Sequence, residues 1–337
     1  MELKITAPNR IDLAGGTTDI CPLYLFMDGG FTVNVAVTIQ STVVLRPRLE
    51  TEVRIVSEDL DTFVEASDVT ELPVGGTLGL IGRAVRAFPP EAGIEVITRN
   101  EAPAGSGLGA SSALLVALLA GLHSLRNETP SGETTVEVAA NIEAAEIGVP
   151  TGTQDHLAAF YGGVSAIEFG YSGFRRTPCC TGSAARQRLE EMMILSYTGS
   201  GRFSGMNNWD VTKAFIDGHS GVRKKLLEIR DIARELGSAL LSNCWEDVPA
   251  LVDREWTVRR SLAPGISNAA IDRIMDAARG QGALASKICG AGGGGCMITF
   301  TTPERRNAVE SAISEAGGQV LEFRIAIRGV QGTVPYH

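Results

Sequence analysis

The sequence predicts an α+β fold in two units. Strand-like and helix-like stretches mix along the chain without the strict alternation of a doubly wound parallel sheet. A length of 337 residues suffices for two ordinary domains with a substantial core. The segment 171–187 is polar and rich in small residues, and reads as a linker between units 1–175 and 188–337.

The elements follow in order. Leu3, Ile5 and Ala7 alternate with polar residues, which predicts a short opening strand. From residue 31 the alternation lengthens. Phe31, Val33, Val35, Val37 and Ile39 share one face and Thr32, Asn34, Thr38 and Gln40 the other, a half-buried strand that "STVVLRPRL" continues. "EVRIVS" and "GIEVITRN" are further strands. The apolar run after residue 110 is hydrophobic nearly all round, so this helix should be central and buried. A second helix covers 132–147. "MMILSYTG" is a buried strand ending in a turn, and helical patterns run over 211–241 and 248–262. "SKICGAGGGGCMITF" reads as strand, glycine turn, strand. "PERRNAVESAISEAGG" is a helix with Pro near its start and Gly at its end. Leu321, Phe323, Ile325 and Ile327 predict a last strand.

Composition removes several classes of function. Hydrophobic residues make up 44% of the chain, as in a globular protein. The net charge of −9 argues against a nucleic-acid partner, and the densest basic cluster, Arg223 to Lys225, reads as a solvated helix face. "MELKITAPNR" lacks an apolar core of signal-peptide length, and the apolar run 113–119 is too short to cross a bilayer. Six cysteines in so long a chain are not a disulfide framework, and the adjacent Cys179 and Cys180 suit neither a normal bridge nor CxxC metal spacing. The expectation is a cytoplasmic protein without structural metal or membrane contact.

"PAGSGLGASSALLVALLAGL" (103–122) sets flexible residues directly before a stiff segment. Glycine N–H groups approach a ligand closely, and a helix starting there adds its free N–H groups and dipole, so the stretch can cradle an anion. It can equally be a tight turn capped by Ser111 or Ser112. Two more glycine-containing stretches stand far away, "APNRIDLAGGTTD" (7–19) and "KICGAGGGGCMI" (287–298). None is a Walker A motif, since no GK[ST] follows. "GAGGGG" leads into a strand rather than a helix, which makes a dinucleotide fingerprint a poor fit.

With these three stretches in this order the chain resembles the GHMP kinases, the small-molecule kinases named for galactokinase, homoserine kinase, mevalonate kinase and phosphomevalonate kinase. "PAGSGLGASS" matches that family's PxxxGLGSS signature, "APNRIDLAGGTTD" its substrate-side motif and "GAGGGG" its C-terminal glycine motif. The resemblance spans essentially the whole length. It implies an N-terminal domain like domain 2 of ribosomal protein S5, a ferredoxin-like C-terminal domain, and ATP and Mg²⁺ between them. ATP contacts would fall on Pro103, Gly105, Ser106, Gly107, Leu108, Gly109, Ala110, Ser111 and Ser112. Ala110 stands where the family has the first serine of GLGSS. The metal-binding serine falls on Ser111, with Ser112 beside it.

A carboxylate should complete the magnesium site. In "GETTVEVAANIEAAEIG", Val136, Ala139, Ala140 and Ile147 form an apolar stripe, and Glu143 lies inside it. An inward carboxylate needs a partner or a cation. Its alternatives are a buried ion pair with an arginine and the Mg²⁺ position that the resemblance implies, with Glu146 as the second candidate ligand. Asp155 in "GVPTGTQDHLAAF" sits where an ordinary N-cap would. The resemblance also gives it the role of facing the substrate hydroxyl, as base or orienting group, with Arg10 beside it.

For the substrate, the resemblance implies contacts at Gly16, Thr17, Asp19, Gly292 and Gly293. Galactokinase carries an acidic residue and a histidine where this chain has Gly16 and Thr17. The GG-x-TD form looks like the subgroup of D-glycero-D-manno-heptose 7-phosphate 1-kinases and related anomeric sugar kinases. Asn207, Asn208 and Trp209 could be sugar contacts or a helix entry. The expected activity is ATP-dependent phosphorylation of a sugar or sugar phosphate at its anomeric hydroxyl. Alternatives are a galactose, fucose or uronate kinase and a non-catalytic sugar- and ATP-binding regulator.

Overall fold

The computed structural model describes residues 2–199 and 205–333, without the side chains of 205–207 and 333. Its first sheet is built on one long strand. β1 (Leu3–Ala14) runs antiparallel along β2 (Gly30–Pro47), with irregularities in register at Pro8/Asn9 and Asp12/Ala14. β3 (Val53–Ser57), β4 (Thr62–Ala66) and β5 (Ile94–Asn100) extend the sheet beyond β2 in the order β2-β5-β3-β4. β6 (Val164–Gly170) and β7 (Gly173–Cys179) attach to the opposite end of β2. The second sheet has the order β11-β8-β10-β9, from β8 (Met193–Tyr197), β9 (Ala285–Ile288), β10 (Cys296–Phe300) and β11 (Gln319–Leu321), all antiparallel. β12 (Gln331–Thr333) then returns to pair with β1.

Helices cover both sheets. After α1 (Leu23–Phe26) come α2 (Gly79–Ala87), α3 (Ala110–Leu125), α4 (Gly132–Ile147) and α5 (Gln154–Tyr161). α6 (Ser183–Met192), α7 (Gly205–Ile216), α8 (Ser220–Leu241), α9 (Asp247–Arg259), α10 (Ala269–Gly280) and α11 (Arg306–Glu315) follow. The apolar helix 110–125 is central, as its composition predicts. It packs so closely on β1 and β2 that a Cβ at Gly121 would meet Leu45 Cδ1 at 2.6 Å. The two sheets share one core, in which Val33 and Val35 of β2 meet Leu195 of β8 and Ile298 of β10. On the other face of the second sheet, Ile194 and Met297 pack with Ile271, Ile274 and Val309 of α10 and α11.

Several expectations need correction. The opening strand runs to Ala14, because its second half is buried on both sides and shows no alternation. Thr32 and Asn34 are buried too. α5 covers that face, and Asn34 Nδ2 donates to the Gln154 carbonyl at 3.1 Å. The linker expected at 171–187 holds β7 and the start of α6 instead. β7 is an edge strand with exposed polar positions, so its composition imitates a loop. The helical pattern over 211–241 breaks at Gly218, where φ is +82°. The last strand stops at Leu321. The chain then crosses to the first sheet, where Arg324 O accepts from Thr38 N and Ala36 O accepts from Ala326 N. Ile327 is exposed.

Candidate active site

A cavity of about 840 Å³ opens between the amino-terminal ends of α3 and α5, the loop after β1 and the turn after β9. The loop before α3 forms one wall. Gly105, Gly107 and Gly109 have φ of +68°, +70° and +73°, and the intervening residues do not, so successive N–H groups turn into a concave nest. Two of these glycines are required by space as well. A Cβ at Gly107 would stand 2.6 Å from the Cys289 carbonyl, and one at Gly109 2.9 Å from Asp155 Oδ2. Gly109 is also the N-cap of α3, so neither Ser111 nor Ser112 caps the helix. The first amides of α3 have no intrahelical acceptor and open beside the nest. Pro103, Gly105, Ser106, Gly107, Gly109, Ala110, Ser111 and Ser112 all line the cavity, whereas Leu108 is buried in the core.

Both serines turn to Glu143. Ser111 Oγ donates to Oε1 at 2.6 Å and Ser112 Oγ to Oε2 at 2.9 Å. Glu143 is 6% exposed, so the inward position read from the apolar stripe is where the structure puts it. Its partner is not an arginine. His156 Nε2 stands 3.1 Å from Oε2, out of line for a hydrogen bond, so that contact is electrostatic. Burial works to raise the Glu143 carboxyl, but His156 and the two hydroxyls outweigh it and hold the group down to about 2. Glu146 lines the cavity and pairs with Arg83 at 3.0 Å.

Asp155 lies in the first turn of α5, and Thr153 takes the N-cap position. Its carboxylate is therefore free to face Arg10. Arg10 Nε donates to Oδ1 at 2.7 Å and Nη2 to Oδ2 at 2.6 Å, a bidentate fork. The remaining Nη1 donates to the Gly107 carbonyl, which ties this pair to the glycine loop. Arg10 is 5% exposed and the Asp155 side chain 20%. Burial pushes the Asp155 carboxyl up and the guanidinium opposes it.

Gly16, Thr17 and Asp19 line the same cavity. A Cβ at Gly16 would meet Asp12 Oδ2 at 2.7 Å. Asp19 is 1% exposed and accepts the Gln154 N–H at 2.9 Å. Burial raises its carboxyl to about 6, against that hydrogen bond. Asn208 reaches the cavity and accepts from Thr17 Oγ1 at 3.0 Å. Trp209 is not among the lining residues, and the side chain of Asn207 lies outside those described. Gly292 and Gly293 do not line the cavity either. Gly292 packs on Ile266 and Gly293 N donates to the Ile266 carbonyl, while Gly290 and Ala291 take the position at the wall.

Sequence reasoning missed three parts of this region. His156 is fully buried beside Glu143, and its only signal was its place after Asp155. Ser57, Asp59 and Asn100 line the cavity away from the motifs, with Asp59 accepting from both neighbours at 3.2 and 3.3 Å. A buried group of charges around Lys287 supports the loop after β1.

The arrangement joins an anion cradle, a hydroxyl–carboxylate pair and a carboxylate fixed by an arginine in one cleft. The family description for the GHMP kinases N terminal domain matches residues 78–163, and that for the GHMP kinases C terminal matches 238–319. The chain belongs to the GHMP kinases. The D-glycero-alpha-D-manno-heptose 7-phosphate kinase of Campylobacter jejuni is 26% identical to this kinase over 98% of both chains. The mevalonate kinase of Thermococcus onnurineus is 28% identical over 71% of this chain and 69% of its own. The crystal structure of a D-glycero-D-manno-heptose 1-phosphate kinase from Bacteroides thetaiotaomicron superposes with a TM-score of 0.80 at 24% identity, covering 99% of this chain and 100% of that one. Lactococcus lactis galactokinase complexed with galactose gives 0.79 at 18% identity, over 98% and 95%. These two likenesses show the shared two-domain α+β fold.

Proposed function

We propose that this kinase transfers the γ-phosphoryl group of ATP to the anomeric hydroxyl of a sugar or sugar phosphate, giving a sugar 1-phosphate, with D-glycero-D-manno-heptose 7-phosphate as the lead substrate. The observation that carries the reading is Asp155, held in the Arg10 fork beside the glycine loop and open to the cavity that Asp19 also lines. The similarity to the Campylobacter jejuni kinase along nearly the whole chain supports the choice of sugar.

Phosphoryl transfer depends on positioning and charge neutralisation more than on covalent help. The nest of residues 105–111 and the start of α3 receive the β- and γ-phosphates. Arg10 keeps Asp155 ionised and aimed, so its carboxylate accepts the sugar hydroxyl's hydrogen bond and is placed to take its proton as the new O–P bond forms. Asp19 accepts ring hydroxyls and brings the anomeric oxygen into line. A hydroxyl and a carboxylate 2.6 Å apart at the phosphate loop suit Mg²⁺, which takes one or two protein oxygens and fills its octahedron with phosphate and water. Ser111 and Glu143 would hold it, and when bound it neutralises phosphate oxygens. Among the described residues no larger group of His, Cys, Asp or Glu gathers around one point.

No helix among the described residues is long and apolar enough to cross a membrane, and all six cysteines are free. The free cysteines support the cytoplasmic location we assign. The test is a panel of free and phosphorylated sugars with ATP, read by ³¹P NMR. The expected product is alkali-stable and acid-labile, as a glycosyl phosphate is. A phosphate ester at a primary carbon refutes the anomeric reading.

A further inference from the structure

Behind the loop after β1 lies a buried group of charges that the reaction as described does not use. Asp12 on β1, Glu255 and Arg259 on α9 and Lys287 on β9 are 0%, 0%, 2% and 0% exposed. Lys287 Nζ stands 3.2 Å from Asp12 Oδ2 and 3.2 Å from Glu255 Oε2. Arg259 Nη2 stands 2.6 Å from Glu255 Oε1. Two charges of each sign balance, which is the condition for burying them at all.

The group extends into the loop that lines the cavity. Gly15 N donates to Glu255 Oε1 at 3.2 Å, Arg259 Nη2 donates to the Gly16 carbonyl at 2.7 Å, and Arg259 Nη1 reaches Thr17 Oγ1 at 3.5 Å. Three successive loop residues are thus held from the C-terminal half. The last of them is strained. Thr17 has φ of +77°, a left-handed conformation that a β-branched side chain adopts only where its surroundings impose it. Its Oγ1 then donates to Asn208 at the cavity wall. Lys287 also lies at the end of β9, before the turn in which a Cβ at Gly290 would stand 3.2 Å from the Gly107 carbonyl, so the same strand end lies close to the phosphate loop. Buried ion pairs add little stability compared with packed apolar side chains. A network of four in one place, aimed at one loop, is better explained by the geometry it enforces.

We infer that Arg259, backed by Glu255 and Lys287, is a positioning residue for sugar recognition, holding the Gly16 carbonyl and the strained Thr17 in the form that meets the substrate. The inference rests on the proposal above that Asp19 reads the sugar, and extends it to Gly16 and Thr17, which line the same cavity. Arg259→Lys tests it. Lysine keeps a positive charge against Glu255 but has no planar fork to reach Glu255, Gly16 and Thr17 together. With D-glycero-D-manno-heptose 7-phosphate as the probe, or the sugar of the panel that the unaltered enzyme phosphorylates, the KM for sugar should rise about tenfold or more. The KM for ATP should stay within about twofold. In a Thr17→Gly background, where φ of +77° needs no support, the effect of Arg259→Lys on the sugar KM should shrink to about twofold. Equal effects in both backgrounds, or parallel changes in both KM values, overturn the inference. If Arg259→Lys does not fold, amide exchange in the unaltered protein decides. The Gly15 amide should be as protected as those of β1, and exchange at the rate of surface loops overturns the inference. If the unaltered enzyme phosphorylates no sugar, the proposed function fails, and the exchange result still reports on the loop.

Discussion

Asn in place of Asp155 keeps the size of the side chain and removes its charge. Asn Oδ1 can still accept from Arg10 Nε, where the carboxylate accepts at 2.7 Å. The amide NH₂ then faces Arg10 Nη2, donor against donor, where a 2.6 Å bond had been. Arg10 is 5% exposed and cannot swing into water, so the substitution leaves a buried cation half-paired. Breaking a buried pair costs about 3–5 kcal/mol, and the 20% exposure of the Asp155 side chain places this one near the lower figure. For a chain of 337 residues the thermal midpoint should therefore fall by roughly 4 °C. Turnover should fall at least about a hundredfold, equivalent to about 2.7 kcal/mol of barrier, because the sugar hydroxyl loses the group that orients it and takes its proton. ATP binding should change by less than about threefold, since the glycine loop keeps its amides.

The assay couples ADP release to NADH oxidation well below the lowered midpoint, with ATP affinity measured separately by calorimetry. These conditions separate chemistry from folding. A variant that is less stable but turns over within a few-fold of the unaltered enzyme refutes the argument. Asp155 would then be a structural counter-ion for Arg10 and nothing more.

Three further outcomes follow from the same geometry. Glu143→Gln should lower the unfolding midpoint, because a carboxyl held down to about 2 stabilises the folded state at neutral pH, and should also raise the Mg²⁺ concentration for half-maximal rate by roughly tenfold; a lower midpoint with unchanged metal dependence makes Glu143 a structural partner of His156 and not a cation ligand. Asp19 has a folded carboxyl raised to about 6 from 3.8, so the folded state holds its proton longer than the unfolded one, and stability falls as pH rises from about 4 to about 6. On the proposed role of Asp19, sugar binding needs the ionised form, so kcat/KM for sugar should rise through pH 6, with that limb absent in Asp19→Asn and the KM for ATP nearly constant. Gly109→Ala places a methyl 2.9 Å from Asp155 Oδ2 at φ of +73°; it should cost about 1–2 kcal/mol of stability and most of the turnover, both read against Gly148→Ala, whose site at φ +72° is open.

What was legible in the sequence depended on whether a residue's role shows in its own neighbourhood. Glu143 stood out because a carboxylate in an apolar helical stripe breaks the local pattern, and it is buried. The glycine loop showed itself because three left-handed turns in five residues demand glycine. The Arg10–Asp155 pairing, 145 residues apart, could come only from the resemblance to a family. The charges around Lys287 had no such help. A single lysine in "ASKI" reads as the polar face of a strand, and its partner Asp12 is 275 residues away. The false linker at 171–187 has the opposite cause, since an edge hairpin facing water has the composition of a loop. The alternation at Leu321, Phe323 and Ile325 was real, but the two halves serve different sheets.

The electrostatics of the cavity join these pieces. Its described lining carries five carboxylates, on Asp19, Asp59, Glu143, Glu146 and Asp155, and one guanidinium, on Arg10. Arg10 is already committed to Asp155 and Gly107, and Glu146 to Arg83. A triphosphate entering this space meets net negative charge. At an effective dielectric near 20, two unit charges about 8 Å apart repel by about 2 kcal/mol, and several such pairs would exclude ATP despite the nest of amides. Burying Glu143 with His156 and two hydroxyls while holding its carboxyl at about 2 keeps that group charged at every physiological pH. Such a carboxylate is poorly suited to greet a phosphate directly and well suited to hold a divalent cation that travels with one. In the proposed mechanism the nest and helix start then need only orient the nucleotide, the cation would offset the acid wall, and Asp155 and Asp19 would remain free to read the sugar. The excess of acid in a kinase cleft is thus consistent with the chemistry, because the charge that balances it arrives with the donor substrate.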